Sequence, residues 1–139
     1  MYLAFKVKAE TFVERLIAFF TGSSKVHCEL VTSLYKDQFF GYTSLPFEGV
    51  TKHWVRYEPD AWEFLKIPDT ECVNVLDFYE KTQNRKYDYL GCLGFVFGNP
   101  DDPSRYFCSE WCAECLGLEN PSKYTPNDLY EKFHFVVKS

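Results

Sequence analysis

The sequence predicts an α+β fold in which an antiparallel sheet of about four to five strands packs against helices. Strand-like segments cluster in the first half of the chain, whereas helical spacing dominates the second half. This segregation argues against alternating βαβ units. The composition is 46% hydrophobic, with 14 Phe, 10 Tyr and 3 Trp among 139 residues. We therefore expect residues 1–139 to form one domain with a substantial core.

The first half supplies the predicted strands and one helix. Residues 2–8 alternate apolar and polar side chains, as a half-buried strand does. Four further strands are predicted over 24–35, 37–45, 49–57 and 61–68. Between them, residues 10–22 have helical spacing, with Gly22 as the expected C-terminal cap. The helix places four apolar side chains on one face: Phe12, Leu16, Phe19 and Phe20.

The second half predicts four helical segments and a final strand. A helix over 70–81 is expected to start at Asp69 or Thr70, with Cys72, Val75, Leu76 and Tyr79 forming its buried stripe. Residues 87–98 read as an apolar, irregular helix, and capping signals from residue 101 precede a helix that ends at Gly117. Thr125 and Pro126 predict the start of a last helix. Residues 133–138 are expected to close the chain as an edge strand.

Charge and hydropathy exclude several classes of function. The formal net charge is −5 and no basic cluster follows one face, so we expect no nucleic-acid partner. No segment reaches the roughly 18 apolar residues of a membrane span. The apolar stretch 12–20 contains Glu14 and Arg15 and lacks a small-residue cleavage site, so no signal peptide is expected. These features together predict a cytoplasmic protein.

The chain contains six cysteines. An even number can indicate disulfides in a short secreted chain. Without a signal peptide, free thiols in a reducing compartment are the favoured interpretation.

One strand carries a histidine beside a carboxylate. Side chains alternate along a strand, so Cys28 shares its face with Val26 and Leu30 and is predicted to be a core thiol. The opposite face holds His27 and, two residues later, Glu29. This pairing is typical of an imidazole with a catalytic role, although a strand histidine can equally be structural.

A later helix supplies a candidate nucleophile. Cys108, Cys112 and Cys115 fall at i, i+4 and i+7 and form a buried stripe. Cys112 and Cys115 are predicted to be core residues. Cys108 lies in the first turn, where the helix dipole and unpaired N–H groups favour a thiolate and could hold an oxyanion.

A third group should orient the imidazole of such a pair. Glu29 is the first candidate, and Thr43 or Ser44 on the following strand could serve instead. His53 is a weaker candidate that we expect at the surface. Glu110 is expected to cap the helix or form an ion pair.

Metal binding is the rival chemistry. His27, Cys108, Cys112 and Cys115 are enough nominal ligands for zinc. Three cysteines spread over two helical turns converge poorly on one ion, so we predict no metal and no cofactor.

The motifs together resemble a known superfamily. The segments SSKVHCELV, RKYDYLGCLGFVFG and RYFCSEWCAECLGLENP, within a match over residues 23–133, are similar to the circularly permuted papain-like branch of the NlpC/P60 superfamily. Within it, small proteins of phages and prophages are most similar. The resemblance implies a permuted papain-like fold with the nucleophile at a helix N-terminus.

The resemblance also implies roles for individual residues. Cys108 matches the nucleophile, His27 the base and Glu29 an acidic position after the histidine. Cys28 departs from the pattern, because an aliphatic residue is usual there. Further matches could shape the pocket or orient the pair: Tyr87, Tyr89, Ser109 and Glu110.

The activity so implied is that of a cysteine amidase, peptidase or acyltransferase. It would act on a peptide, a peptidoglycan-like compound or an acyl lipid, as a viral or phage protein in the host cytoplasm. Two alternatives stay open at this point. One is a catalytically silent structural or binding protein on the same fold, and the other is a zinc-binding module.

Overall fold

The strands form one five-stranded antiparallel sheet in the computed structural model, which describes residues 1–68, 74–88 and 104–138 and the side chains as far as residue 134. The spatial order is β4-β3-β2-β1-β5. The α+β class and an antiparallel sheet of this size are thereby confirmed. The strands are β1 (Tyr2–Lys6), β2 (His27–Leu34), β3 (Gln38–Leu45), β4 (Gly49–Arg56) and β5 (Trp62–Lys66).

The described ranges also contain four α-helices and a short parallel strand pair. The helices are α1 (Phe12–Thr21), α2 (Val75–Thr82), α3 (Cys108–Cys115) and α4 (Pro126–Lys138). The strand pair is β6 (Lys86–Tyr87) with β7 (Arg105–Tyr106), and a 3-10 turn covers Pro121–Lys123. None of the helices in these ranges is both long and apolar enough to cross a membrane.

Both faces of the sheet are covered, which explains why Leu3, Ala4 and Phe5 of β1 are all fully buried. One face packs against α3 and α4, and its core includes Leu3, Phe5, Cys28, Leu30, Trp111, Leu129 and Phe133. The other face carries a smaller aromatic cluster made of Ala4, Val31, Phe39, Ala61 and Trp62. The candidate site lies at the start of β2, beside the helix α3 that packs against the sheet.

Helix α1 ends at the predicted cap, Gly22, but its orientation differs from that of a simple core helix. Thr11 Oγ1 accepts a hydrogen bond from the Glu14 N–H, and Gly22 closes the helix in the left-handed conformation. Its buried residue is Ile17, which packs beside Val26 and Tyr87. The predicted apolar face points outward instead, since Phe12 is 74% and Phe19 79% exposed.

Several predicted boundaries are wrong. Helix α2 starts at Val75 with Asn74 as its cap, and Leu76 is exposed rather than part of a buried stripe. Helix α3 starts at Cys108, later than the capping signals from residue 101 suggest. The expected edge strand over 133–138 is helical, because α4 begins with a reciprocal Thr125–Asp128 cap and continues to Lys138. Residues 69–73, with Cys72, and residues 89–103 lie outside the described part.

Candidate active site

The nucleophile candidate stands at the first position of a helix. Phe107 is the extended N-cap residue of α3, and Cys108 follows as the first helical residue. Glu110 reaches back so that its Oε1 accepts from the Phe107 N–H at 3.4 Å, as the predicted capping role requires. Cys108 is only 2% exposed. Its sulfur therefore sits in a protected position beside the positive end of the helix dipole.

The imidazole of His27 is fixed by Glu29, its first predicted partner. His27 is the first residue of β2, and its Nε2 lies 2.9 Å from Glu29 Oε2. Since an ionised carboxylate can only accept, this nitrogen carries the proton. The ring of Trp62 packs edge-on at 6.1 Å between centroids. With Nε2 committed to Glu29, Nδ1 is the nitrogen left to exchange a proton with Cys108.

His53 belongs to the site, although the sequence pattern made it only a weaker candidate for orienting the imidazole. Its Nε2 lies 2.9 and 3.0 Å from the two carboxylate oxygens of Glu29. Glu29 is 1% exposed, so its charge is held between two imidazoles and away from water. The expectation that His53 is only a surface residue is wrong, although 32% of its side chain is exposed. Strand alternation alone could not show this contact, because it depends on how β2, β3 and β4 align.

Gly41 makes the contact between Glu29 and His53 possible. It lies on β3, paired with His53 on one side and with Val31 on the other. A Cβ atom on Gly41 would stand 2.1 Å from Glu29 Oε1. No side chain fits there, and the carboxylate of Glu29 occupies the space that it would fill. Gly41 is thus a site residue that the sequence did not identify.

Cys108, His27 and Glu29 each shift the pKa of a neighbouring group toward its charged form. Burial acts most strongly on the pKa of His27 and lowers it, but the Cys108 thiolate and Glu29 outweigh burial and raise this pKa to about 10. Burial likewise opposes ionisation of Glu29, yet hydrogen bonds from His27 and His53 lower the pKa of its carboxyl. The structure therefore favours an imidazolium beside an ionised carboxylate.

The pKa of the Cys108 thiol is lowered, whereas burial raises the pKa of an ordinary buried cysteine. A hydrogen bond from the Cys28 thiol does most to lower the pKa of Cys108. Burial opposes this shift, while the imidazolium of His27 and the Cys28 backbone add to it, and the pKa lies well below its usual value. These two shifts favour a thiolate on Cys108 beside an imidazolium on His27.

Cys28 is a core thiol, as strand alternation predicts, but it is also a neighbour of the nucleophile. It is fully buried, and burial raises the pKa of its thiol well above the usual value. A protonated thiol can donate a hydrogen bond, which suits it to the Cys108 thiolate. Cys112 in turn donates to the Cys28 carbonyl oxygen at 3.9 Å. The four described cysteines are free thiols, while Cys72 and Cys92 lie outside the described residues.

The hydroxyl groups proposed as alternatives bond elsewhere. Each of the three donates to a backbone carbonyl instead of orienting the imidazole: Thr43 to Cys28 at 2.8 Å, Ser44 to Tyr106 at 2.7 Å and Ser109 to Tyr124 at 2.6 Å. They hold β2, β7 and α3 in place around the pair. Tyr87 is buried beside Val26 and lines a cavity next to His27. Tyr89 lies outside the described residues.

No three His, Cys, Asp or Glu side chains within 1–68, 74–88 and 104–134 are arranged to hold a metal ion.

Comparison with known proteins adds no assignment, since no family model, curated protein or solved structure matches this chain.

We predict that iodoacetamide at pH 6 labels Cys108 selectively. The reactive form is the thiolate, and a lowered pKa leaves more of it at pH 6 than in a cysteine of pKa about 8.5. Mass spectrometry after a short exposure should show one modified residue, and His27→Ala should abolish the fast labelling. Cys112→Ala serves as the matched control and should keep it. Equal slow labelling of all six thiols would contradict the ion pair.

We also predict that Gly41→Ala lowers the free energy of unfolding by about 1–3 kcal/mol, because the new methyl group displaces the Glu29 carboxylate. Urea denaturation measures the change. In a Glu29→Ala background the same substitution should cost much less, since the clashing oxygen is gone. Equal costs in both backgrounds would mean that Gly41 does not make room for Glu29.

Proposed function

We propose that this protein is a cysteine hydrolase or acyltransferase that acts on amide or ester carbonyls through a thioester intermediate. The observation that carries the proposal is a buried cysteine, Cys108, at a helix start, together with a buried imidazole, His27, whose Nε2 lies 2.9 Å from Glu29 Oε2. The lowered pKa of Cys108 and the raised pKa of His27 support it. A buried carboxylate behind the imidazole is the arrangement that holds such a base in one orientation. Perturbed groups gathered in one place are typical of a catalytic site.

We further propose that the fold is the permuted papain-like type of the NlpC/P60 superfamily. The support is topological. The strand with the histidine precedes the helix with the cysteine, and that helix packs against the antiparallel sheet that carries the histidine.

In the first half of the reaction, the Cys108 thiolate attacks the substrate carbonyl carbon and a C–S bond forms. The carbonyl oxygen gains negative charge beside the first-turn amides of α3, which lack acceptors within the helix. The bond to the leaving amine or alcohol then breaks, and the imidazolium of His27 supplies the proton that the leaving group needs. The product of this half is an acyl thioester on Cys108.

In the second half, neutral His27 takes a proton from water or another acceptor, which attacks the thioester. The C–S bond breaks, the carboxylic acid or transferred acyl product leaves, and the thiolate and imidazolium are restored. Glu29 keeps its charge throughout and stabilises the imidazolium of the resting state. Hydrolysis and acyl transfer differ only in the acceptor.

Activity should depend on Cys108 and not on its helix neighbours. Against a panel of peptidoglycan fragments, isopeptides and lipid esters, Cys108→Ala should reduce kcat/KM by about 10⁴-fold on any substrate turned over. Cys112→Ala is a matched control, because its sulfur lies one turn along the same helix, and it should keep most of the activity. Turnover that is unchanged in Cys108→Ala would contradict the proposal.

His53 should act as a positioning residue with an effect on pH dependence. Its hydrogen bonds help to lower the pKa of Glu29, so His53→Phe should raise that pKa and move the acid limb of the pH–rate profile to higher pH. His53→Gln can still donate and should restore part of the shift. His134→Gln, which alters a histidine of α4, should leave the profile unchanged, and an equal shift there would contradict the role of His53.

A further inference from the structure

A basic cleft lies between the end of helix α2 and the strand pair β6–β7. Its volume is about 380 Å³, within the range of small-molecule pockets. Four of the six lining residues are basic, and the other two are neutral and polar. They are Lys81, Asn84, Arg85, Lys86, Ser104 and Arg105. Among the described residues no acidic side chain belongs to this lining, so the cleft concentrates positive charge in a protein whose net charge is −5.

The backbone under the cleft is fixed on two sides. The Arg85 N–H donates to the Thr82 carbonyl at 2.9 Å, and the Arg85 carbonyl accepts from the Val50 N–H at 3.0 Å. Gly49 permits this close approach of β4, because a Cβ atom there would stand 2.3 Å from the Arg85 carbonyl oxygen. Thr82 is held in turn by the Trp111 indole N–H, which donates to its Oγ1 at 2.8 Å. The site therefore needs little reordering of its backbone when a ligand binds.

Strand register brings the fourth basic residue to the other three. In the parallel pair β6–β7, Lys86 lies opposite Arg105 and Tyr87 lies opposite Tyr106. Side chains alternate along a strand. Since the two tyrosines are 3% and 7% exposed, Lys86 and Arg105 extend together toward solvent. Like charges that lie opposite each other on neighbouring strands repel, and a bound anion removes this repulsion.

The charges of the cleft are suited to a ligand with several negative charges. Within the described part of the chain, no ion pair involves Lys81, Arg85 or Lys86. Lys81 lies in the last turn of α2, where its charge offsets the negative end of the helix dipole. Arg85 and Arg105 supply planar guanidinium groups, which bind the oxygens of phosphates and carboxylates in pairs.

The cleft opens toward β4 into an adjoining hollow of about 630 Å³. Arg85, Lys86 and Arg105 line both spaces. The hollow also has an aromatic ring and a carboxylate, from Phe47 and Glu48 of the β3–β4 turn. Phe47 is 96% exposed and offers a flat apolar surface, while Glu48 can accept hydrogen bonds but repels an anion. An anionic group therefore belongs at the basic end and an uncharged organic group at the turn.

We propose that this cleft binds a small organic compound that carries a diphosphate or triphosphate group. The phosphates lie among the four basic residues, and the organic part lies beside Phe47 and Glu48. A terminal phosphate carries about two negative charges at neutral pH, whereas a carboxylate carries one, so phosphates match the charge of the cleft better. Four basic residues in one cleft do not form the extended stripe that a nucleic-acid backbone needs. Binding here is independent of the chemistry proposed for Cys108.

Calorimetric titration of the wild-type protein with ADP and with inorganic pyrophosphate, in magnesium-free buffer, tests the site. Both compounds should bind, and Arg85→Gln and Lys86→Gln should each raise their Kd at least about tenfold, because each removes a charged hydrogen-bond donor. Arg56→Gln and Lys36→Gln are the matched controls. They remove the same charges from exposed positions at the end of β4 and in the β2–β3 turn, and should leave Kd unchanged. Equal losses in the controls would overturn the site. All four residues are exposed, so Tm should stay the same.

The organic part of the ligand has its own test. ADP should bind more tightly than pyrophosphate, and Phe47→Asn should weaken the binding of ADP while leaving that of pyrophosphate unchanged. Asparagine suits the left-handed backbone at this position, where φ is +70°, so the fold should be kept. Equal binding of ADP and pyrophosphate, with no effect of Phe47→Asn, would overturn the placement of an organic group at the turn.

Other anions distinguish the class of ligand. Citrate that binds as tightly as pyrophosphate would overturn the phosphate assignment. A single-stranded oligonucleotide that binds more tightly than ADP, and loses this affinity in Arg85→Gln, would overturn the assignment of a small ligand. So would binding to vesicles that contain phosphatidic acid without any binding of pyrophosphate. Binding of neither ADP nor pyrophosphate would overturn the proposal, yet it would leave the labelling and turnover expected of Cys108 unaffected.

Discussion

The arrangement of the site depends on one buried negative charge, the carboxylate of Glu29. A carboxylate that is almost fully removed from water is costly unless it is paired and hydrogen bonded. Here two imidazoles supply the hydrogen bonds, one from β2 and one from β4, and the pKa of the carboxyl stays low despite burial. The same charge raises the pKa of His27, and the imidazolium lowers the pKa of Cys108. Without Glu29, the pKa of His27 would be raised less, and the imidazolium would lower the pKa of Cys108 less.

The sheet makes this pairing possible by leaving out a side chain. Glu29 and His53 belong to strands that are separated by β3, and the gap between them lies at Gly41. In a regular strand, cross-strand side chains would fill that position. Gly41 contributes no side-chain contacts to β3, but it lets the Glu29 carboxylate extend over the strand. The missing side chain at Gly41 thus lets the buried Glu29 carboxylate reach His53.

The second feature is the orientation of α1. A helix with Phe12, Leu16, Phe19 and Phe20 on one face would normally bury that face. In this protein Ile17 is the buried anchor, while Phe12 and Phe19 are exposed. The helix thereby forms a cavity wall beside His27 instead of closing over it. Of these two exposed residues, Phe12 lines the cavity.

Local patterns in the sequence were enough for much of the fold. Strand-like patterns predicted the five strands, and the caps at Gly22 and Thr125 marked helix ends, because these signals depend on neighbours within a few residues. They failed at Leu76 and at 133–138, where tertiary packing, not periodicity, decides which face is buried or where a helix stops.

For the site, the sequence by itself singled out Cys108, His27 and Glu29, because helix position and strand parity are local properties. The folded arrangement brings Thr43 and Ser44 to backbone carbonyls and His53 to Glu29, and it places the Cys28 thiol where it lowers the pKa of Cys108. Those contacts depend on strand register and on the empty position at Gly41. The physical reason is that a buried charge selects its partners through space, whereas a sequence pattern records only neighbours along the chain.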